Sequence, residues 1–323
     1  MEDKQELLDL VIIGAAAAGC TAAIYAARRK LNFVVVSKDI GGEVALSGEV
    51  ANWPGIENIQ GFDLAQTFYK HAKSYGVQFD EGLEVTKIEQ EANYHIVNAK
   101  TSSGEHKQYK TVSVIIASGI HPRELNIPGE QELKNKGVTY CTVCDGPLFK
   151  NKTTATIGAG NSALESALMM AGIAKKVYLV TKYPESNGRG FPKGETILLD
   201  KILEKDNVEI IYSAATNKIN GVDSVKSFVY TDEKTSEEKE VEAEGIMVHI
   251  GMIPNSGFVD CVEKNQANEL KIDTRCATSC KGIFAAGDVT DIPYKQISIS
   301  AGQGATAALS AIEYINRWDV NAV

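Results

Sequence analysis

A chain of 323 residues is long for a single hydrophobic core, so two domains are the expectation. Its hydrophobic content of 44% and charged content of 23% are those of an ordinary globular protein. The formal net charge of −9 gives no general pull toward polyanions, which argues against nucleic acid and anionic membrane as partners. The first residues, Met1-Glu2-Asp3-Lys4-Gln5-Glu6, are acidic where a secretory signal needs a positive start. The apolar stretch 10–27 is marginal in length for a membrane span and holds Thr21 and Tyr25. It reads instead as the strand Val11-Ile12-Ile13, broken at Gly14 before an alanine-rich helix. A cytoplasmic protein is therefore expected, with its six cysteines more often thiols than staples.

In chain order, a strand over 10–13, a glycine turn and a helix over 19–29 lead to a strand over 33–37. A helix over 63–74 carries Leu64, Phe68 and Ala72 at core spacing. A hairpin over 94–98 and 108–116 follows, ending at Ala117-Ser118-Gly119-Ile120. The first pattern then recurs: a strand over 154–157, a glycine turn, a helix over 162–171 and a strand over 177–181. Strands alternating with helices indicate parallel sheets under helical cover. A second hairpin is expected over 225–230 and 240–248, with a solvated charged loop over 232–240. Gly251 after His249-Ile250 offers a crossing like that at Gly119. Cys261 is expected in a helix, and Ser300-Ala301-Gly302-Gln303-Gly304 at the start of one.

Each glycine turn has the form that receives a dinucleotide. The first glycine makes the tight turn, the second admits the pyrophosphate, and the third lets helix and strand pack closely. Gly158-Ala159-Gly160-Asn161-Ser162-Ala163 fits throughout, since alanine serves at the last place. Gly14-Ala15-Ala16-Ala17-Ala18-Gly19 keeps the outer glycines but has Ala16 at the close-approach position. Neither following strand ends in the acid that would hold a ribose: the first runs into Ser37-Lys38-Asp39, the second into Thr181-Lys182-Tyr183. Lys182 and Arg189 are candidates for a 2′-phosphate, although surface bases are more often solvated. Near the C-terminus, a buried strand meets Gly287-Asp288, a carboxylate placed to accept hydrogen bonds from a ribityl or ribose chain.

Between the two turns lies Cys141-Thr142-Val143-Cys144, followed by Asp145-Gly146. Two sulfurs at this spacing can close a small ring, and beside strand–helix patterns the pair reads as redox-active. Half a zinc site and an inert pair are the bland alternatives. A four-cysteine zinc site with Cys276 and Cys280 is disfavoured by the distance along the chain. Cys20, Cys261, Cys276 and Cys280 read as packing by default, and the histidines form no ligand-like cluster.

Taken in this order, the motifs resemble those of the low-molecular-weight thioredoxin reductases along nearly the whole chain. The resemblance rests on the turn 14–19, Gly41-Gly42-Glu43, Asn52-Trp53-Pro54-Gly55, Ala117-Ser118-Gly119, the Cys141–Gly146 segment, the turn 158–163 with Glu165, the segment 251–255, and 284–289 with Gln296. It implies an α/β fold of two Rossmann-like nucleotide-binding domains (three-layer ββα), the second inserted into the first. The FAD domain would take 1–118 and 250–323, and the nicotinamide domain, carrying the dithiol, 119–249. FAD would be held by Gly14, Ala15, Ala18, Gly19, Ser37, Lys38, Gly42, Glu43, Asn52, Ala117, Ser118, Gly119, Gly287, Asp288, Gln296 and Ile297. NADPH or NADH would meet Gly158, Gly160, Asn161, Ser162, Glu165, Lys182 and Arg189. Cys144 would face the flavin, Cys141 would attack the partner disulfide, and Asp145 would manage the proton. The implied enzyme is a homodimer that rotates its inserted domain and reduces a thioredoxin-like protein.

Three departures stand out. Similar proteins that use NADPH carry a His-Arg-Arg run where this chain reads Lys182-Tyr183-Pro184, and lysine does not replace a guanidinium pair. Ala16 and Lys295 also depart, the latter where arginine is usual. The same fold fed by ferredoxin or acting as a dithiol oxidase is one alternative reading, and a flavin-holding redox sensor is another. No metal site is expected.

Overall fold

Val11, Ile12 and Ile13 are buried because their strand lies inside a sheet that is covered on both faces. The computed structural model describes residues 6–47, 49–185 and 193–318, without the side chains of Glu49 and Cys144. The elements that position the sites are β1 (Leu7–Ala15), α1 (Ala17–Arg28), β2 (Phe33–Ile40), β3 (His106–Ile116), α2 (Thr142–Asp145), β4 (Thr153–Gly158), α3 (Asn161–Ala171), β5 (Lys176–Val180), β6 (Gly245–His249), β7 (Ile283–Ala285) and α4 (Ile297–Asn316). The chain forms two compact units, one of Met1–His121 with Ile253–Val323, the other of Pro122–Met252.

In the first unit β2, β1, β3 and β7 run parallel, and Phe79–Glu81 extends the β2 edge. Leu83–Gln90 and His95–Thr101 add antiparallel strands beyond β3, the latter strand and β3 being the expected first hairpin. Side chains alternate along a strand, so β1 feeds two cores at once. Leu10 and Ile12 pack with Ala22, Ala23 and Ala26 of α1 and Ala307, Ala308 and Ala311 of α4. Val11 and Ile13 pack on the opposite side with Leu83, Val85, Val97, Val259 and Leu270. Alanine is the best helix former and the smallest chiral side chain. It lets α1 and α4 approach until a Cβ on Gly304 would lie 2.2 Å from the Ala18 carbonyl oxygen.

The second unit repeats the scheme. Val138–Thr139, β6, β4, β5 and Val208–Ile211 form a parallel sheet in that order. Along β6, Ile246 and Val248 turn toward a core built around Phe228, while Met247 meets Leu164, Ala167 and Met170 of α3. Phe228 lies on Val225–Asp232, the middle strand of an antiparallel sheet with Ala214–Gly221 and Glu237–Glu242.

Two expectations need correction. The strand expected over 240–248 is two strands: Glu237–Glu242 closes the hairpin, and β6 joins the parallel sheet. The break falls at buried Ala243, where a charged, exposed run gives way to an apolar one buried on both faces. Cys261 lies outside any helix, in an irregular segment that packs against the core of the first unit. Among the described residues no helix is long and apolar enough to cross a membrane.

Phe228 is fully buried. Its replacement by alanine is expected to cost about 3–5 kcal/mol of stability, read from the denaturant midpoint of the second unit's unfolding.

Candidate functional site

In the first unit β1, β2, β3 and β7 end around a cleft of about 1150 Å³. Gly14 closes β1 with φ of +106°, and a Cβ there would lie 2.2 Å from the Ala117 carbonyl oxygen. Gly19 is as restricted, for its added Cβ would meet the Gly14 carbonyl oxygen at 1.8 Å. Helix α1 therefore starts against the strand end, and Ala16, Ala17 and Ala18 line the cleft. No side chain caps α1 and no acid sits in its first turn, so its amides and dipole face the cleft uncompensated by protein. Ala16 is extended, and an added Cβ on Gly42 would lie 3.5 Å from its methyl.

Across the cleft Asp288 accepts a hydrogen bond from Ser300 Oγ (2.9 Å), and the amide of Gly287 donates to Gln303 Oε1 (2.8 Å). Burial raises the Asp288 pKa above the ordinary carboxylate range, and burial raises that of Glu43 as well. Asn255 braces the Ser118-Gly119 turn: its Nδ2 donates to the Ser118 carbonyl (2.8 Å), and Ser118 Oγ donates to the Asn255 carbonyl (2.6 Å). Lys295 donates to the Thr290 carbonyl (2.5 Å) and pairs with Glu269 (2.8 Å).

In the second unit Gly158 ends β4 where a Cβ would lie 2.1 Å from the His249 carbonyl oxygen. Gly160 precedes α3 with open space beside it, and again no side chain caps the helix. The Cys141–Gly146 segment packs against α3, a Cβ on Gly146 lying 3.1 Å from Met170 Sδ. Cys141 is half-buried and held in a disulfide. Thr139 Oγ1 donates to Asp145 Oδ2 (2.5 Å) and accepts the Cys141 N–H (3.1 Å), which fixes the carboxylate to the turn carrying the sulfur. Thr142 Oγ1 lies 2.6 Å from Ser166 Oγ on α3 and 2.8 Å from His249 Nε2 on β6. Burial lowers the His249 pKa to about 4, so the imidazole is neutral at physiological pH.

Of the residues expected at a flavin, Gly14, Ala15, Ala18, Ser37, Lys38, Gly42, Glu43, Ala117, Ser118, Gly119, Gly287, Asp288 and Ile297 line the one cleft. Gly19 supports it from behind. Asn52 and Gln296 are not in its lining and bond each other, Asn52 Nδ2 donating to Gln296 Oε1 (3.1 Å). Gly158, Gly160, Asn161, Ser162 and Glu165 gather at the start of α3. Lys182 is exposed just past β5, with its Nζ 5.6 Å from the Tyr183 ring centroid. Arg189 and the Cys144 side chain lie outside the described residues.

Sequence reasoning named Asp39, Asn255 and Ser300 only within longer motifs and did not assign them to the cleft, and it missed Thr139 and His249 beside the dithiol. Only Thr139 carries a local signal, a hydroxyl two residues before a turn. Of the other cysteines, Cys20 donates to the Ala15 carbonyl (3.5 Å), Cys276 to the Gln303 carbonyl (3.7 Å) and Cys280 to Gln90 Oε1 (3.3 Å). Burial pushes the three thiols up to about 12, 11 and 12 respectively.

Residues 8–308 match the pattern of the pyridine nucleotide-disulphide oxidoreductases, and the chain belongs to that family. The family implies a flavin and a nicotinamide nucleotide. The chain is 38% identical over 314 residues to an NADH dehydrogenase of Bacillus subtilis. It is 38% identical over 320 residues to a subunit of the alkyl hydroperoxide reductase of Escherichia coli. These alignments cover 97% and 98% of this chain, which spans 60% of the length of each relative. Its structure is similar to that of the thioredoxin reductase of Lactococcus lactis, with a TM-score of 0.79, 32% identity, and 96% and 99% of the two chains covered.

A carboxyl whose folded pKa is raised weakens the fold once ionised, and this cost is absent below its ordinary pKa. In the ligand-free protein, Asp288→Asn is expected to raise Tm at pH 7 by about 1–3 °C. The gain should vanish near pH 3.5, as differential scanning fluorimetry at both pH values would read.

Proposed function

We propose that the protein is an FAD-dependent disulfide reductase that passes electrons from a nicotinamide nucleotide, through FAD, to Cys141 and Cys144. From there they reach the disulfide of a thioredoxin-like protein. The observation that carries this reading is the Cys141 turn, with Cys141 in a disulfide and the Asp145 carboxylate bound to the same Thr139 hydroxyl. A dithiol placed beside a glycine turn that opens a helix has both its chemistry and a source of electrons in one unit.

The cleft of the first unit fits a flavin dinucleotide. Its volume of about 1150 Å³ is at the upper end of ligand sites. The uncapped start of α1 suits a pyrophosphate, and Asp288, short of donors, suits the hydroxyls of a ribityl or ribose chain. Gly14, Ala15, Ala18, Gly119 and Gly287 would let that ligand approach the backbone; Ser37 and Lys38 would meet its adenosine end. Glu43, Asn52, Gln296 and Ile297 complete the proposed shell. Bound there, FAD supplies two-electron exchange between nicotinamide and disulfide. In the second unit Gly160, Asn161, Ser162 and Glu165 would hold the nicotinamide nucleotide. The strand after this turn ends in neither the acid that would hold a ribose nor a guanidinium pair that would grip a 2′-phosphate, and NADH is proposed as the donor on the B. subtilis relative's name.

In the reductive direction, Cys141 as thiolate attacks one sulfur of the partner disulfide and forms a mixed disulfide. Cys144 then attacks the Cys141 sulfur and releases the partner as a dithiol, and the enzyme is left with its own disulfide. Asp145 takes the proton of one enzyme thiol and gives it to the departing thiolate, and the proton of the other thiol reaches the partner through solvent. Two electrons and two protons pass to the partner in each cycle. The enzyme is proposed to work in the cytoplasm as a homodimer.

Cys144→Ser should leave a yellow, flavin-loaded protein whose reduction of thioredoxin-like disulfides falls below about 1% of wild type. Retained activity would defeat the assignment of the pair. In anaerobic stopped flow, NADH should bleach the flavin at micromolar concentration and NADPH more slowly. If neither bleaches it, the donor is of another class, such as ferredoxin.

A further inference from the structure

We propose that His249 is a positioning residue for the dithiol: through Thr142 it holds the turn carrying Cys141 and Cys144, so that the two thiols of the reduced state stay near each other. The inference rests on the redox reading of that pair.

Thr142 is buried between the two cysteines in sequence. Its hydroxyl has one proton to give and lone pairs to receive with, and it meets Ser166 Oγ at 2.6 Å and His249 Nε2 at 2.8 Å. Ser166 in turn lies 3.4 Å from Thr156 Oγ1 on β4. The anchors are firm. His249 ends β6 opposite Gly158, and its carbonyl occupies the space a Gly158 side chain would need. Ser166 sits on α3, the helix that the same glycine turn opens. The frame that would receive the nucleotide therefore also grips the residue between the sulfurs.

Helix α2 has only four residues, far too few to persist by its own hydrogen bonds. While Cys141 is in its disulfide, a covalent link restrains the turn. On reduction that link is gone, and the Thr142 contacts join those of Thr139 with Asp145 and Cys141 in limiting the spread of the thiols. Groups held close have a high effective concentration, so the contacts favour ring closure. The imidazole is neutral well below pH 7, and no charged group contributes to that shift. Its part is to orient Thr142, not to carry a proton.

The test uses flavin-loaded protein equilibrated with glutathione. One glutathione disulfide oxidises the enzyme dithiol to its disulfide and becomes two glutathione thiols. The equilibrium constant, in molar units, is the effective concentration of the two thiols. Alkylation of Cys141 and Cys144 after an acid quench, read by mass spectrometry, gives it. His249→Leu should lower this constant about fivefold, the worth of one hydrogen bond, with the same ratio at pH 6 and pH 8. Thr142→Val should do likewise, and the double variant should add nothing further. His249→Gln, whose amide reaches the place of Nε2, should stay within about twofold of wild type.

The proposal is overturned if His249→Leu matches wild type, if His249→Gln is as impaired as leucine, or if the double variant loses the product of both effects. A pair that is never oxidised at any glutathione ratio, in wild type as in the variants, would instead defeat the redox reading on which the proposal stands.

Discussion

A carbonyl oxygen stands where a side chain would have to be, once in each unit, and the candidate sites depend on that exclusion. The oxygen of Ala117 faces Gly14 and that of His249 faces Gly158, at 2.2 and 2.1 Å from where a Cβ would lie. Only glycine lets the strand end this close to its neighbour while the chain turns directly into a helix. The helix start is thereby fixed over the end of the sheet with its amides unspent. One geometric restriction thus shapes both the edge of the cleft in the first unit and the frame around the Cys141 turn in the second.

The units differ in what they add to this shared device. The first spreads its sheet with antiparallel strands and covers it with two alanine-rich helices, leaving a cleft in which Glu43 and Asp288 are partly buried. The second adds a three-stranded sheet over its parallel one and sets the Cys141 turn against α3. In the first, burial raises the pKa of Asp288. In the second, burial removes charge from an imidazole and leaves a neutral hydrogen-bonding group.

The parts legible in the sequence were those written in a few consecutive residues. Val11-Ile12-Ile13 before Gly14, the turn before α3 and the Cys141–Asp145 run each carry their geometry locally, and nearly all the residues expected around a flavin line a common cleft. What escaped depends on partners far apart along the chain. His249 meets Thr142 across 107 positions, and Asn255 braces Ser118 across 137. No periodicity reports such meetings. The split of 240–248 into two strands was hidden for a different reason: its alternation continues through Ala243, and only the change from a solvated edge to a doubly covered sheet separates the halves. Cys261, expected in a helix, lies in an irregular segment that packs against the core of the first unit.

The three deeply sequestered thiols give the molecule a form of insulation. At neutral pH Cys20, Cys276 and Cys280 stay protonated, hence inert toward disulfides. Reducing equivalents entering such a protein meet no competing sulfur in those places, and stray mixed disulfides have nowhere there to form. Selectivity among identical functional groups is thus favoured by withholding solvent from half of the six.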